Sequence, residues 1–351
     1  MAEKKSKDNQ GISGVSKGRK SHRALKYTLA SLAVVVGAGA GIGSYEWHAL
    51  QPQNHFQNVA VVGAGSVSTN NVVNNTPSYN WPKQATGVFN VLLLGSDARP
   101  GEKDSHSDSI ILIHVNLNTH QYNLLSIPRD TRVYMPGYGY TKLTSVQYLN
   151  EVNYGVDKGI VETVKDVSSY VGVPINYYAE TDYWGLQSMV DDLGGITMDV
   201  PFKVTMTHPW YKQDKGKVYP KGQDFLDGQD VTEIVHERDS VPGTDYGRQK
   251  LQEAALVGIA KAAMDASNFT KLPSLVQDEH NYLIDTNMTT TDMISMALAL
   301  KENFNPSQQI HYRQIQGTPE TLEDDLLGAK DDQIVINPDE LKTIVQTYFT
   351  K

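Results

Sequence analysis

Between Asn90 and Asp130 an apolar run meets an aspartate and arginine cluster three times. The run NVLLLG leads into Ser96-Asp97-Ala98-Arg99, Ser107-Asp108-Ser109 opens the run IILIHVNL, and YNLLSIP leads into Arg129-Asp130. Arginine forks grip phosphate oxygens bidentately, and carboxylates hold Mg²⁺ or Mn²⁺. Interleaved Asp and Arg therefore point to a phosphate or pyrophosphate carried with a divalent metal. More charge chemistry follows in Lys142, in Val235-His236-Glu237-Arg238, and in Asp245-Tyr246-Gly247-Arg248. Gln252 stands one helical turn beyond Arg248 and shares its face. An isolated Asp or Arg at a strand end usually just caps a turn, so the conjunction of the clusters carries the inference.

Such residues converge only if the apolar runs pair in one sheet with their charged ends on one rim. The alternation predicts strands over 88–94, 109–116 and 122–127. Helical spacing marks 157–171, where Ile160, Val161, Val164, Val167 and Val171 share a face, and 184–193, which ends at Gly194-Gly195. Further strands are predicted at 175–179 and, as an edge or exposed strand, 196–200. Residues 201–225 suggest a hairpin or flap. A long helix is expected over 248–266, preceded by the Asp245 segment, with Leu251, Ala254, Ala255, Ile259 and Ala262 inward. A helix over 290–303, a strand over 309–316 and a last helix opened by Asn337-Pro338-Asp339-Glu340 complete the pattern. Alternating strands and helices predict a single α/β domain or α/β/α sandwich.

The first 26 residues carry eight Lys and Arg and show no apolar period. Residues 27–45 hold no charged side chain, enough to span a bilayer. The positive-inside rule then puts the tail in the cytoplasm and the rest outside. A cleaved signal peptide is the rival reading, but the basic region is long for one. Residues 46–86 form an Asn/Ser/Thr-rich linker. Beyond Tyr45 there are 23 Lys and Arg against 38 Asp and Glu, a formal charge of −15. That excludes nucleic acid as an expected partner. Without cysteine the exported part depends on its core alone, for which residues 87–351 are enough.

The stretches LGSDARPGEKDSHSDSI, LLSIPRDTRVYMPG, DDLGGITMDV, LDGQDVTEIVHER and DYGRQKLQ resemble, in order, the LytR-CpsA-Psr family of Gram-positive cell-envelope proteins. The resemblance is strong over 87–265. It implies an α/β/α sandwich with a mixed central sheet and a hydrophobic polyprenyl tunnel. It also implies a phosphotransferase that moves a glycopolymer, such as teichoic acid or capsule, from a polyprenyl-pyrophosphate carrier to peptidoglycan through a phosphodiester. Asp97 and Asp108 would then hold Mg²⁺ or Mn²⁺ and, with Arg129, form the catalytic set. Arg99, His106, Arg129, Arg238, Arg248 and Gln252 would contact the pyrophosphate, and Asp130 and Asp245 would orient the arginines. Asp97 and Asp108 are both candidates for the proton acceptor.

The chain departs from the family pattern in one direction. His106, His236 and Leu251 stand where arginines are expected. Neutral histidines at those positions donate hydrogen bonds but bring charge only in acid. The departures leave open a lipid-pyrophosphate-binding or regulatory homologue, or a pyrophosphatase in which water replaces the sugar hydroxyl.

Overall fold

The computed structural model describes residues 48–63, 84–99, 102, 104–301 and 304–350. The expected tail and membrane segment lie outside these residues, as does the linker over 64–83. Among the described residues no helix is long and apolar enough to cross a membrane.

Three strands, β1 (Val88–Ser96), β2 (Ser107–Asn116) and β3 (Gln121–Ile127), form an antiparallel meander. Side chains alternate across it as the pleat requires. Leu92, Leu94, Ile110, Leu112, Leu125 and Ile127 enter one core. Phe89, Val91, Ile111, Val115, Tyr122 and Leu124 enter the other. Each fully buried aliphatic side chain contributes about 1.5–3 kcal/mol. An antiparallel meander puts the end of β1, the start of β2 and the end of β3 on one rim, where the three charged clusters sit. A register shift between Gly95 and Ser96 turns the strand end just before Asp97, the usual effect of a bulge.

The next elements are the hairpin β4 (Arg132–Met135) and β5 (Gly139–Lys142) and the helices α1 (Thr144–Tyr154) and α2 (Val156–Val171). Strand β6 (Tyr177–Thr181) then adds parallel to β1. After helix α3 (Tyr183–Asp192) comes β7 (Ile196–Val200). It is not an edge of the main sheet but pairs with β10 (Gly222–Leu226) in a separate ribbon. Between them, β8 (Val204–Thr205) and β9 (Val218–Tyr219) make the expected hairpin. Helix α4 (Gly228–Ile234) is short, and α5 (Asp245–Met264) is long. The Asp245 segment therefore opens α5 rather than preceding it, because the Thr244 carbonyl already accepts the Arg248 N–H at 3.0 Å.

Beyond α5, β11 (Asp285–Thr286), helix α6 (Thr290–Lys301) and β12 (Ile310–Gln314) complete a mixed six-stranded sheet of order β11-β6-β1-β2-β3-β12. The hairpin β13 (Gly317–Asp324) and β14 (Ala329–Ile336) precedes the last helix, α7 (Pro338–Tyr348). Asn337 caps α7 by accepting from the amides of Asp339 and Glu340. Helices α1, α2 and α7 bury Val146, Ile160 and Leu341 on one face of the sheet, and α5 and α6 cover the other with Leu256 and Met296. The linker is not all spacer. Phe56 is buried against Phe89 and Tyr177, and the Val62 amide donates to the Ile175 carbonyl at 2.8 Å.

Candidate active site

The charged rim is tied together by its own hydrogen bonds. The His106 amide donates to Asp97 Oδ1 at 2.7 Å, and the Asp97 amide donates to the His106 carbonyl at 3.1 Å. Burial would raise the Asp97 pKa, but these bonds and the His106 ring hold it below the ordinary aspartate value. The bond to Asp97 in turn raises His106, against its partial burial. The imidazole stacks on Tyr148, with centroids 4.9 Å apart. His106 thus serves Asp97 rather than lining either of the two cavities described below.

Arg129 Nη1 pairs with Asp108 Oδ1, and its Nε stands 3.8 Å from Asp130 Oδ2. Burial disfavours the Arg129 cation, yet Asp108 and Asp130 raise its pKa. Its buried Nε has no hydrogen-bond partner, and Arg129 reaches the cavities described below only through Asp108, lining neither itself. Lys142 bridges Asp130 and Asp331 at 3.3 and 2.7 Å, so it braces the rim from behind. On α5, Arg248 is 4% exposed and meets Asp245 at 2.6 Å. Its other bond, 2.8 Å long, goes to the Asp108 carbonyl. Asp130 and Asp245 thus stand within ion-pair distance of Arg129 and Arg248. One turn along, Gln252 accepts from Ser109 Oγ at 3.1 Å.

Two cavities open from this rim. The first, of about 340 Å³, lies between the sheet and α5. Leu93, Ile111, Leu186, Met189, Val235, Ala255, Leu256, Ile259 and Leu283 line it, with Asp108, Arg248 and Gln252 among its polar residues. An adjoining apolar cavity of about 180 Å³ shares Met189, Ile259 and Leu283 and adds Met293. The second cavity off the rim, of about 240 Å³, is polar and aromatic. Asp97, Arg99, Asp108, Tyr183, Trp184, His208, Trp210, Glu233 and His236 line it. Ser96, Asp108, Tyr183 and His236 belong to both, so the two volumes meet at the Asp108 end of β2.

Arg99 leans over Trp210, 5.6 Å from the ring centroid, at the aromatic cavity rather than among the other arginines. Arg238 lines neither cavity of the rim, although its charge lowers the Arg248 pKa after burial has done most of that. In the segment His236-Glu237-Arg238 the middle residue is the anchor. Buried Glu237 accepts from the amides of Thr207, Asp239 and Ser240 at 2.7, 2.9 and 3.0 Å. Burial would raise its pKa, but these donors bring it down. Buried Glu233 likewise accepts from the amides of Trp210 and Tyr211 at 2.9 and 2.7 Å. Residues 207–211 are thereby clamped onto the α4 region, and Trp210 is held with 49% of its surface exposed. Sequence reasoning missed Trp210 and Glu233; the only signal was a tryptophan within a polar, proline-bearing stretch. Leu251 is fully buried among α5 contacts, so it replaces no cavity residue.

Among the described residues no group of three or more His, Cys, Asp or Glu gathers as a metal site. Asp97 and Asp108 nevertheless fit one hard cation jointly with a ligand. Both line the aromatic cavity, and Mg²⁺ is commonly bound by one or two carboxylates plus substrate phosphates.

The LytR_cpsA_psr family model matches residues 55–343. The chain belongs to this family. A teichoic acid transferase of Bacillus licheniformis, TagU, is 31% identical over 215 residues, which make up 61% of this chain and 64% of that protein. The match therefore spans less than two thirds of that relative. The solved structure of TagV from B. subtilis superposes with a TM-score of 0.60 at 24% identity and covers 74% of this chain and 95% of that one. A structure of TagT bound to LIIa-WTA superposes with a TM-score of 0.56 at 24% identity, covering 82% and 97%. These likenesses bear out the mixed α/β fold and the family resemblance.

Proposed function

We propose that this chain is a phosphotransferase that moves a glycopolymer from a polyprenyl-pyrophosphate carrier to peptidoglycan. One observation carries the reading: an apolar cavity and an aromatic, polar cavity meet at Asp108, flanked by Arg129 and Arg248. A carrier-linked glycan has the same three parts in the same order. The apolar volume suits the polyprenyl chain, the arginine rim the pyrophosphate, and the clustered aromatics a sugar. The naming of the TagU relatives as teichoic acid–peptidoglycan transferases supports the reading.

In this mechanism Arg129 and Arg248 neutralise the pyrophosphate, and Gln252 adds a hydrogen bond. Phosphoryl transfer needs positioning and charge stabilisation more than covalent help. Asp97 and Asp108 would hold Mg²⁺ or Mn²⁺, which when bound supplies further neutralisation of phosphate charge. The apolar walls exclude water from the bond that breaks. The uncharged stretch at 27–45 would anchor the chain in the membrane, with residues 87–351 outside.

The test uses the full chain in lipid vesicles, a labelled polyprenyl-pyrophosphate glycan and peptidoglycan. Transfer is expected, and removal of divalent metal is expected to suppress it. Arg129→Ala and Asp97→Ala should each lower transfer by roughly 10²-fold or more. Undiminished transfer by both variants would sink the site assignment. Phosphate release without attachment would make the chain a pyrophosphatase instead.

A further inference from the structure

An attacking sugar hydroxyl must lose a proton, and both carboxylates at the rim already have protein partners. Asp97 is held as the acceptor of the His106 amide, and Asp108 is paired with Arg129. His236 is placed differently. Its Nδ1 lies 2.6 Å from the Thr232 carbonyl. A carbonyl only accepts, so Nδ1 carries the hydrogen and the neutral ring keeps its lone pair on Nε2. The ring is packed 5.0 Å from Tyr183, centroid to centroid. It belongs to the walls of both cavities. Glu237, the next residue, is itself held by the amides of Thr207 and Ser240.

We infer that His236, through Nε2, accepts the proton of the attacking hydroxyl; this rests on the transferase reading above. The hydroxyl oxygen bonds to the glycan-bearing phosphorus, and its proton passes to Nε2. The bond from that phosphorus to the bridging oxygen breaks, and polyprenyl monophosphate leaves with the electron pair. The imidazolium then returns its proton to water through the open cavity.

The surroundings keep the ring neutral until it is used. His236 is accessible from the cavity yet walled by protein on its other sides. Burial lowers its pKa, the Thr232 bond opposes this, and the Arg248 cation adds to the lowering. Asp108 from β2 raises it, and Arg129, after β3, lowers it. Asp182 and Tyr183 at the start of α3, Asp97 and Arg99 after β1, His208 from the clamped loop and Glu233 from α4 complete the titratable and charged groups lining the two cavities among the described residues.

The experiment compares the full chain with its His236→Gln and His236→Ala variants in single-turnover transfer from about pH 5 to about pH 9, alongside direct binding of the lipid-linked donor. The expected result is a kcat loss of roughly 10²-fold or more. Donor affinity should stay within about threefold. The wild-type rate should fall in acid, and the variants should lose that limb. Added imidazole should restore part of the rate of His236→Ala, whose truncation leaves room for it. An unchanged kcat and acid limb in the variants would overturn the proposal. So would a loss confined to donor binding with no rescue, since His236 would then be a pyrophosphate hydrogen-bonder. Wild-type chain that binds donor but never transfers it refutes the enzyme reading, and this proposal with it.

Discussion

The Arg248–Asp245 pair offers a perturbation whose structural and chemical effects separate. Arg248→Met leaves Asp245 with the Gln249 amide at 2.8 Å but without the guanidinium at 2.6 Å. It also strips the Asp108 carbonyl of its 2.8 Å donor. Deleting one partner of a buried pair costs about 3–5 kcal/mol. Asp245 is 18% exposed, so the lower end, about 3 kcal/mol, is expected. At about 2–4 °C per kcal/mol for a domain of this order of size, the melting temperature should drop by roughly 6–12 °C. Replacing the whole pair, Asp245→Leu with Arg248→Met, removes the stranded charge and is often nearly neutral. The double variant should therefore regain most of the melting temperature. It should not regain transfer, because the Arg248 guanidinium no longer faces the pyrophosphate. Thermal melting by tryptophan fluorescence, read beside the transfer assay, checks both halves. If Arg248→Met melts with wild type, or the two substitutions simply add, the buried pair does not couple as argued.

Two further outcomes follow from groups away from the reacting atoms. Burial, helped by the Glu151 charge and opposed by a Gln147 hydrogen bond, raises buried Glu180 from 4.5 to about 7. Its folded form holds the proton more tightly than the unfolded chain, so its stabilising contribution is complete below about pH 4.5 and is lost as pH rises toward 7. That shift corresponds to roughly 3 kcal/mol. Glu180→Gln should flatten the decline of melting temperature over this window, and an unchanged slope would contradict the assignment. At Gly228 a Cβ would stand 2.2 Å from the Gln187 carbonyl oxygen. Gly228→Ala should then cost about 1–3 kcal/mol by forcing α4 off α3, measurable as a lower melting temperature.

The strand ends were legible because a period of two with charged termini admits few other structures. Strands β1 to β3 differ from expectation by one or two residues. The β13–β14 hairpin and the α1 helix were not legible. The hairpin is largely exposed and polar, and α1 buries Gln147, Asn150 and Glu151 beside Val146 and Leu149. Neither offers the apolar period on which sequence reading depends. Strand β7 was legible as a strand but not as part of a separate ribbon, since its partner β10 lies beyond a 21-residue connection.

By itself the sequence determined the chemistry: which side chains carry opposite charge, that they follow apolar strands, and which family they resemble. Residue type and local period are properties of the chain alone. Only the tertiary structure decided which charge meets which. It turned His106 toward Asp97, drew Arg99 over Trp210, kept Arg238 out of the cavities and set His236 between them. Those outcomes depend on contacts between residues far apart in the chain, such as Arg248 with the Asp108 carbonyl across 140 positions. Such contacts are chosen by packing and by the need to pair every buried charge, and no local pattern records them.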